Sequence, residues 1–87
     1  MKWRIILSRQ ALKDAKKLAN AGYKAQAEKL LKVLEINPLM TPPPYKKLVG
    51  NLDGFYSRRI TIQHRLVYSV SENDKTVYVL RMWTHYE

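Results

Sequence analysis

The chain opens on a strand-like alternation: Trp3, Ile5 and Leu7 take one side and Lys2, Arg4 and Ile6 the other, the pattern of a half-buried strand. The period then lengthens. Ala11, Leu12, Ala15, Leu18 and Ala19 fall on one helical stripe, with Lys13, Lys16 and Lys17 outside it, Ser8 positioned to cap the helix and Gly22 to end it in a left-handed turn. A second helix follows through Tyr23, Ala27, Leu30, Leu31 and Leu34, decorated by Lys24, Lys29 and Lys32 and stopped by Asn37-Pro38. The segment PLMTPPPYKK carries four prolines between Pro38 and Pro44, which forbid helix and central strand and make it a stiff connector. Beyond it the period returns to two in KKLVG, GFYSRRIT, HRLVYSV and TVYVLRMWTHY, separated by the turns NLDG and SENDK. The predicted fold is α+β: an N-terminal strand and a two-helix hairpin packed on one face of a small antiparallel sheet. Residues 1–87 are expected to form a single domain.

Composition narrows this. A chain of 87 residues supports one modest core, and the absence of cysteine excludes a disulfide framework and a thiolate metal site. No apolar run is long enough for a secretory signal or a membrane span, so a soluble cytoplasmic protein without membrane contact is expected. Sixteen Lys and Arg against seven Asp and Glu leave a formal charge of +9, a single-sign field that works against the compact state until a polyanion or an acidic protein neutralises it.

The stretch SRRITIQHRLVYSV holds Arg58, Arg59, His64 and Arg65 among residues that pave a sheet. Residues of equal parity along a strand share a face, so Arg59 and Arg65 are expected together on the face the helices leave open. Arg58 has the opposite parity and is expected at the surface, in an ion pair or on an RNA backbone. His64 is expected to brace the strand turn beside Gln63. Trp3, Trp83 and Tyr45 read as packing. Along the last strand Arg81, Trp83 and His85 share one parity and Tyr78, Leu80 and Met82 the other, a count that a bulge near Trp83 would break.

The block GNLDGFYSRRITIQHRLVYSV, with the ending RMWTHYE and the PPPY connector, resembles the YoeB group of toxins from bacterial type II toxin–antitoxin pairs, within the RelE-like superfamily. That resemblance implies a microbial RNase fold and a ribosome-dependent endoribonuclease that cuts translated mRNA. It also implies an acidic antitoxin of the YefM/Phd kind, which carries the complex to operator DNA. No cofactor and no metal are expected. In such chemistry the RNA's own 2′-hydroxyl attacks the adjacent phosphorus, leaving a 2′,3′-cyclic phosphate. Arg59 and Arg65 match the family positions that stabilise the phosphorane, since guanidinium groups are planar, multidentate and permanently charged. His85 matches the general acid, and Tyr86 the group that stacks a base or steers the phosphate. Lys47, Arg58 and Arg81 are the candidates for further RNA contact.

One position departs from the family pattern: Lys46 stands where a glutamate usually serves as general base. A protonated lysine cannot accept a proton. Three readings stay open: Lys46 is a base of depressed pKa or a phosphate ligand, the chain is a weakened toxin that binds RNA, ribosome or antitoxin, or another group takes the proton.

Overall fold

The computed structural model describes residues 2–41 and 44–84. Its elements are β1 (Arg4–Leu7), α1 (Arg9–Asn20), α2 (Lys24–Ile36), β2 (Tyr45–Lys47), a 3₁₀ turn (Gly50–Leu52), β3 (Tyr56–Arg59), β4 (Arg65–Ser71) and β5 (Thr76–Thr84). They build an α+β fold around one five-stranded mixed sheet of order β1-β5-β4-β3-β2. β2 to β5 form an antiparallel meander, and β1 closes the far edge by pairing parallel to β5, with Ile5 opposite Val77 and Leu7 opposite Val79. A parallel partner needs a crossover connection, and β1 comes long before β5 in the chain, on the far side of both helices.

Local signals explain the helices. Ser8 Oγ accepts a hydrogen bond from the Ala11 amide, satisfying one of the orphan donors at the start of α1. Gly22 takes φ +89 in the turn between the helices, where a side chain would be strained. Asn37 caps α2, and Pro38 follows it. The helices cover one face of the sheet, where Leu18, Leu30 and Leu34 meet Leu66, Tyr68, Val77, Val79 and Met82. The helical stripe is narrower than the apolar pattern implied. Leu12 and Ala19 are exposed, and α1 instead buries Asp14 at 0% exposure.

The expected alternation of β5 is also corrected. Val77 and Val79 are buried and Tyr78 is exposed, yet Met82, of Tyr78's parity, is fully buried. The cause is two register shifts against β4, between Arg65 and Val67 and between Val67 and Tyr68, where β5 spends extra residues. Groups freed from regular pairing are taken up by α1. Ser8 Oγ donates to the Leu80 carbonyl at 2.7 Å, and Asp14 Oδ2 accepts from the Met82 amide at 3.0 Å and from Arg81 Nε at 3.1 Å. Among the described residues, no helix is long and apolar enough to cross a membrane.

Candidate active site

The strand registers assemble the site row by row. Lys46 on β2 pairs with Ser57 on β3, which pairs with Val67 on β4, and two residues further along β3 Arg59 lies directly opposite Arg65. Period two puts Ser57 and Arg59 on one face with their partners. An open cleft of about 560 Å³ lies over this face, and its lining includes Lys46, Ser57, Arg59 and Arg65, with Pro44, Ile60 and Ile62 as an apolar rim. Like charges opposed across a strand pair destabilise the pair, so the Arg59–Arg65 arrangement gains free energy when an anion enters between them. A second open cleft of about 540 Å³ lies against Leu39, Tyr56 and the Val70–Asn73 turn. Its lining carries Glu72 and no cation, which makes it the wrong chemistry for phosphate.

The three residues expected to add RNA contacts, Lys47, Arg58 and Arg81, do not line this cleft. Lys47 has the opposite parity to Lys46 and pairs with Tyr56, so it sits on the other face of β2 and does not join the cleft. Arg58 is a correction: it is buried, at 1% exposure, where a surface residue was expected. Its Nη2 donates to the Pro38 and Met40 carbonyls at 2.9 and 2.8 Å, and its Nε donates to Tyr68 Oη at 3.1 Å. The guanidinium lies 5.1 Å from the centre of the Tyr45 ring. Tyr68 completes the clasp by donating to the Pro38 carbonyl at 2.8 Å. Burial pushes the Tyr68 phenol above its ordinary value of 10.0, against the opposing pull of Arg58, so it remains the donor this geometry needs. The physical reason for burying Arg58 is the stretch after α2: the Pro38 and Met40 carbonyls lie outside helix and sheet and need donors, and a guanidinium's N–H groups in a fixed fork supply them.

Arg81 is half-buried and ion-paired to Asp14. Burial by itself would raise the Asp14 pKa. Hydrogen bonds from the Met82 amide, Gln10 and Arg81, with the charge of Arg81, outweigh it and hold the carboxyl below its ordinary 3.8. His64 is buried and stacks on Trp83, ring centres 3.9 Å apart at 26°, with Tyr23 at 5.7 Å. This is the bracing expected of it: the ring pins the turn after β3 to the end of β5. Thr61 Oγ1 tightens the same turn by accepting from the Gln63 and His64 amides. His85 and Tyr86 lie outside the described residues. Among those described, no cluster of three or more His, Cys, Asp or Glu is placed to hold a metal ion.

Sequence reasoning missed two residues that shape this region. Asp14 carried no signal beyond its position four residues after Gln10 on a helix. Ser57 sits inside the arginine motif, and the signal that finds it is its parity with Arg59.

Comparison with known proteins agrees with this architecture. The fold is shared with RelE-type toxins, among them the archaeal RelE–RelB complex from Pyrococcus horikoshii, at 25% identity and TM-score 0.76 over 95% of this chain and 94% of that one. A family model described as the YoeB-like toxin of bacterial type II toxin-antitoxin system matches residues 8–86, and the chain belongs to that family. Among solved structures, the YoeB dimer from Staphylococcus aureus is 34% identical with TM-score 0.82, covering 99% of this chain and 100% of that one. The YoeB/ParE toxin from Agrobacterium tumefaciens is 25% identical with TM-score 0.85, covering 95% and 99%. Among curated relatives, Toxin YoeB of Synechocystis sp. is 34% identical over 58 residues, 67% of this chain and 65% of that protein. Toxin YoeB of Escherichia coli K12 is 48% identical over 40 residues, 46% of this chain and 44% of that one. The matched region thus spans less than two thirds of either relative's length.

Proposed function

We propose that this chain is the toxin of a type II toxin–antitoxin pair and acts as a ribosome-dependent mRNA endoribonuclease. The observation that carries the reading is the pairing of Arg59 with Arg65 across β3 and β4, beside Lys46 in one open cleft. A scissile phosphodiester enters there with its non-bridging oxygens toward the two guanidinium groups. As the 2′-hydroxyl attacks, its proton passes to water or to a ribosomal group at the open cleft, negative charge grows on the non-bridging oxygens, and the paired arginines stabilise the phosphorane more than the ground state. His85 protonates the leaving 5′-oxygen, and Tyr86 steers the phosphate. The products are a 2′,3′-cyclic phosphate and a 5′-hydroxyl, with the RNA supplying its own nucleophile. An acidic antitoxin segment competes for the same cations. Support comes from structural neighbours solved as toxin–antitoxin complexes, YoeB–YefM of Staphylococcus aureus among them.

Lys46 favours a second reading, a module that occupies the ribosome and blocks translation without cutting. Lys46 is exposed at the cleft edge, a setting for a phosphate ligand. Inducing the protein in cells that lack antitoxin and mapping mRNA 5′ ends separates the two. Growth arrest with new ends inside translated codons is the expected result, whereas arrest without new ends establishes the blocking module.

A further inference from the structure

The anomaly in the cleft is Ser57. Its residue is 1% exposed, its Oγ is closed off from water, and that oxygen finds no hydrogen-bond partner among the described residues. A buried hydroxyl without a partner costs free energy, because folding strips its water and returns nothing. Its position gives the cost a meaning. Ser57 sits between Lys46 and Val67 in register, shares the parity of Arg59, and lines the cleft with Lys46, Arg59 and Arg65.

We propose that the Ser57 hydroxyl is a phosphate-contacting group, donating a hydrogen bond to a non-bridging oxygen of the RNA phosphodiester held by Arg59 and Arg65. Lys46 and Arg59, the exposed side chains beside it, turn toward the bound phosphate and open the floor on which Ser57 lies. The hydroxyl then regains a partner that the free protein denies it. A charged acceptor strengthens the bond, and growth of charge in the phosphorane strengthens it further. Interaction energy left unused in the free fold is thereby released on the substrate. This rests on the nuclease reading for its substrate, while the hydroxyl's contact with phosphate can be measured without any cleavage.

The test is Ser57→Ala, read three ways. Single-turnover cleavage on programmed ribosomes falls about 10- to 100-fold, the worth of one hydrogen bond to a charged group. Binding of a single-stranded 2′-deoxy oligonucleotide, which cannot be cut, weakens in the same direction. Thermal melting does the opposite and holds or rises, because alanine removes a polar atom that was buried without a partner. A residue serving only packing would lower melting and leave the oligonucleotide unaffected. Ser57→Cys, near in volume and a weaker donor, falls between parent and alanine in both functional arms, and it carries the test if the alanine variant does not fold. Unchanged cleavage and unchanged oligonucleotide binding overturn the proposal while leaving the nuclease reading intact. If the parent protein cuts nothing on programmed ribosomes, the nuclease reading fails, and the oligonucleotide arm alone decides Ser57.

Discussion

At the scale of single residues, adjacent arginines in one motif do opposite work. Arg59 faces the cleft, and Arg58 faces the connector, holding Pro38 and Met40 through one nitrogen and Tyr68 through another. Arg58→Lys keeps the charge but offers one rotating ammonium where a rigid fork serves the Pro38, Met40 and Tyr68 oxygens. Its expected cost is ~2–4 kcal/mol in urea unfolding, in the range for disrupting a buried, hydrogen-bonded charge. Cleavage should fall as well, since the connector leads directly into Lys46. Unfolding free energy unchanged within error would mean the guanidinium contacts are incidental. Lys46 itself poses the sharper question. Lys46→Glu puts a carboxylate beside Arg59 and Arg65, which keep it ionised and able to take the 2′-hydroxyl proton. Cleavage should rise by about 10²-fold, the lower range for a positioned general base. A fall instead would show that the lysine is a working catalytic group.

At the scale of elements, β5 is where periodicity stops being a guide. The parity rule assumes one residue on each strand per step, and β5 breaks that assumption twice against β4. Alternation cannot announce this, because bulges are fixed by partners far along the chain, here Ser8 at the N-cap of α1 and Asp14 within that helix. Asp14 was hidden for the same reason: a polar residue on a helix reads as solvated until the strand opposite is known to need an acceptor. What was legible had local causes. Ser8 and Gly22 mark helix ends by backbone chemistry alone, and the Arg59–Arg65 pairing follows from parity within a short hairpin. Asp14→Ala should cost ~2–3 kcal/mol, leaving the buried Met82 amide unsatisfied. The pH dependence follows from the depressed Asp14 pKa. Its contribution is complete above the unfolded value near 3.8 and disappears as pH falls through the lower folded value. The stability gap between parent and Asp14→Ala should therefore be flat from neutrality to about pH 5 and narrow below about pH 4. A gap that persists unchanged to pH 2 would assign the loss to packing.

At the scale of the whole molecule, a formal charge of +9 on 87 residues gives two effects that are easily confused. The summed field attracts any polyanion and sets how fast it arrives, whereas the cleft cations set how long it stays. Two double variants separate them. Arg59→Gln with Arg65→Gln and Lys16→Gln with Lys17→Gln each lower the charge by two, from +9 to +7, but only the first takes charge out of the cleft, where Lys46 stays. Lys16 and Lys17 lie exposed on α1. Binding of an acidic antitoxin segment, followed by stopped flow, should show both variants associating more slowly at low salt, by similar factors that shrink toward 1 M salt, where the Debye length falls to about 3 Å. Dissociation should rise about tenfold or more for the arginine pair and stay near the parent rate for the lysine pair, since contacts made at short range are lost in one case and not in the other. Equal dissociation rates for the two variants would mean that the antitoxin docks away from the cleft, and inhibition would then require displacement of the toxin from the ribosome instead of occupation of its phosphate site.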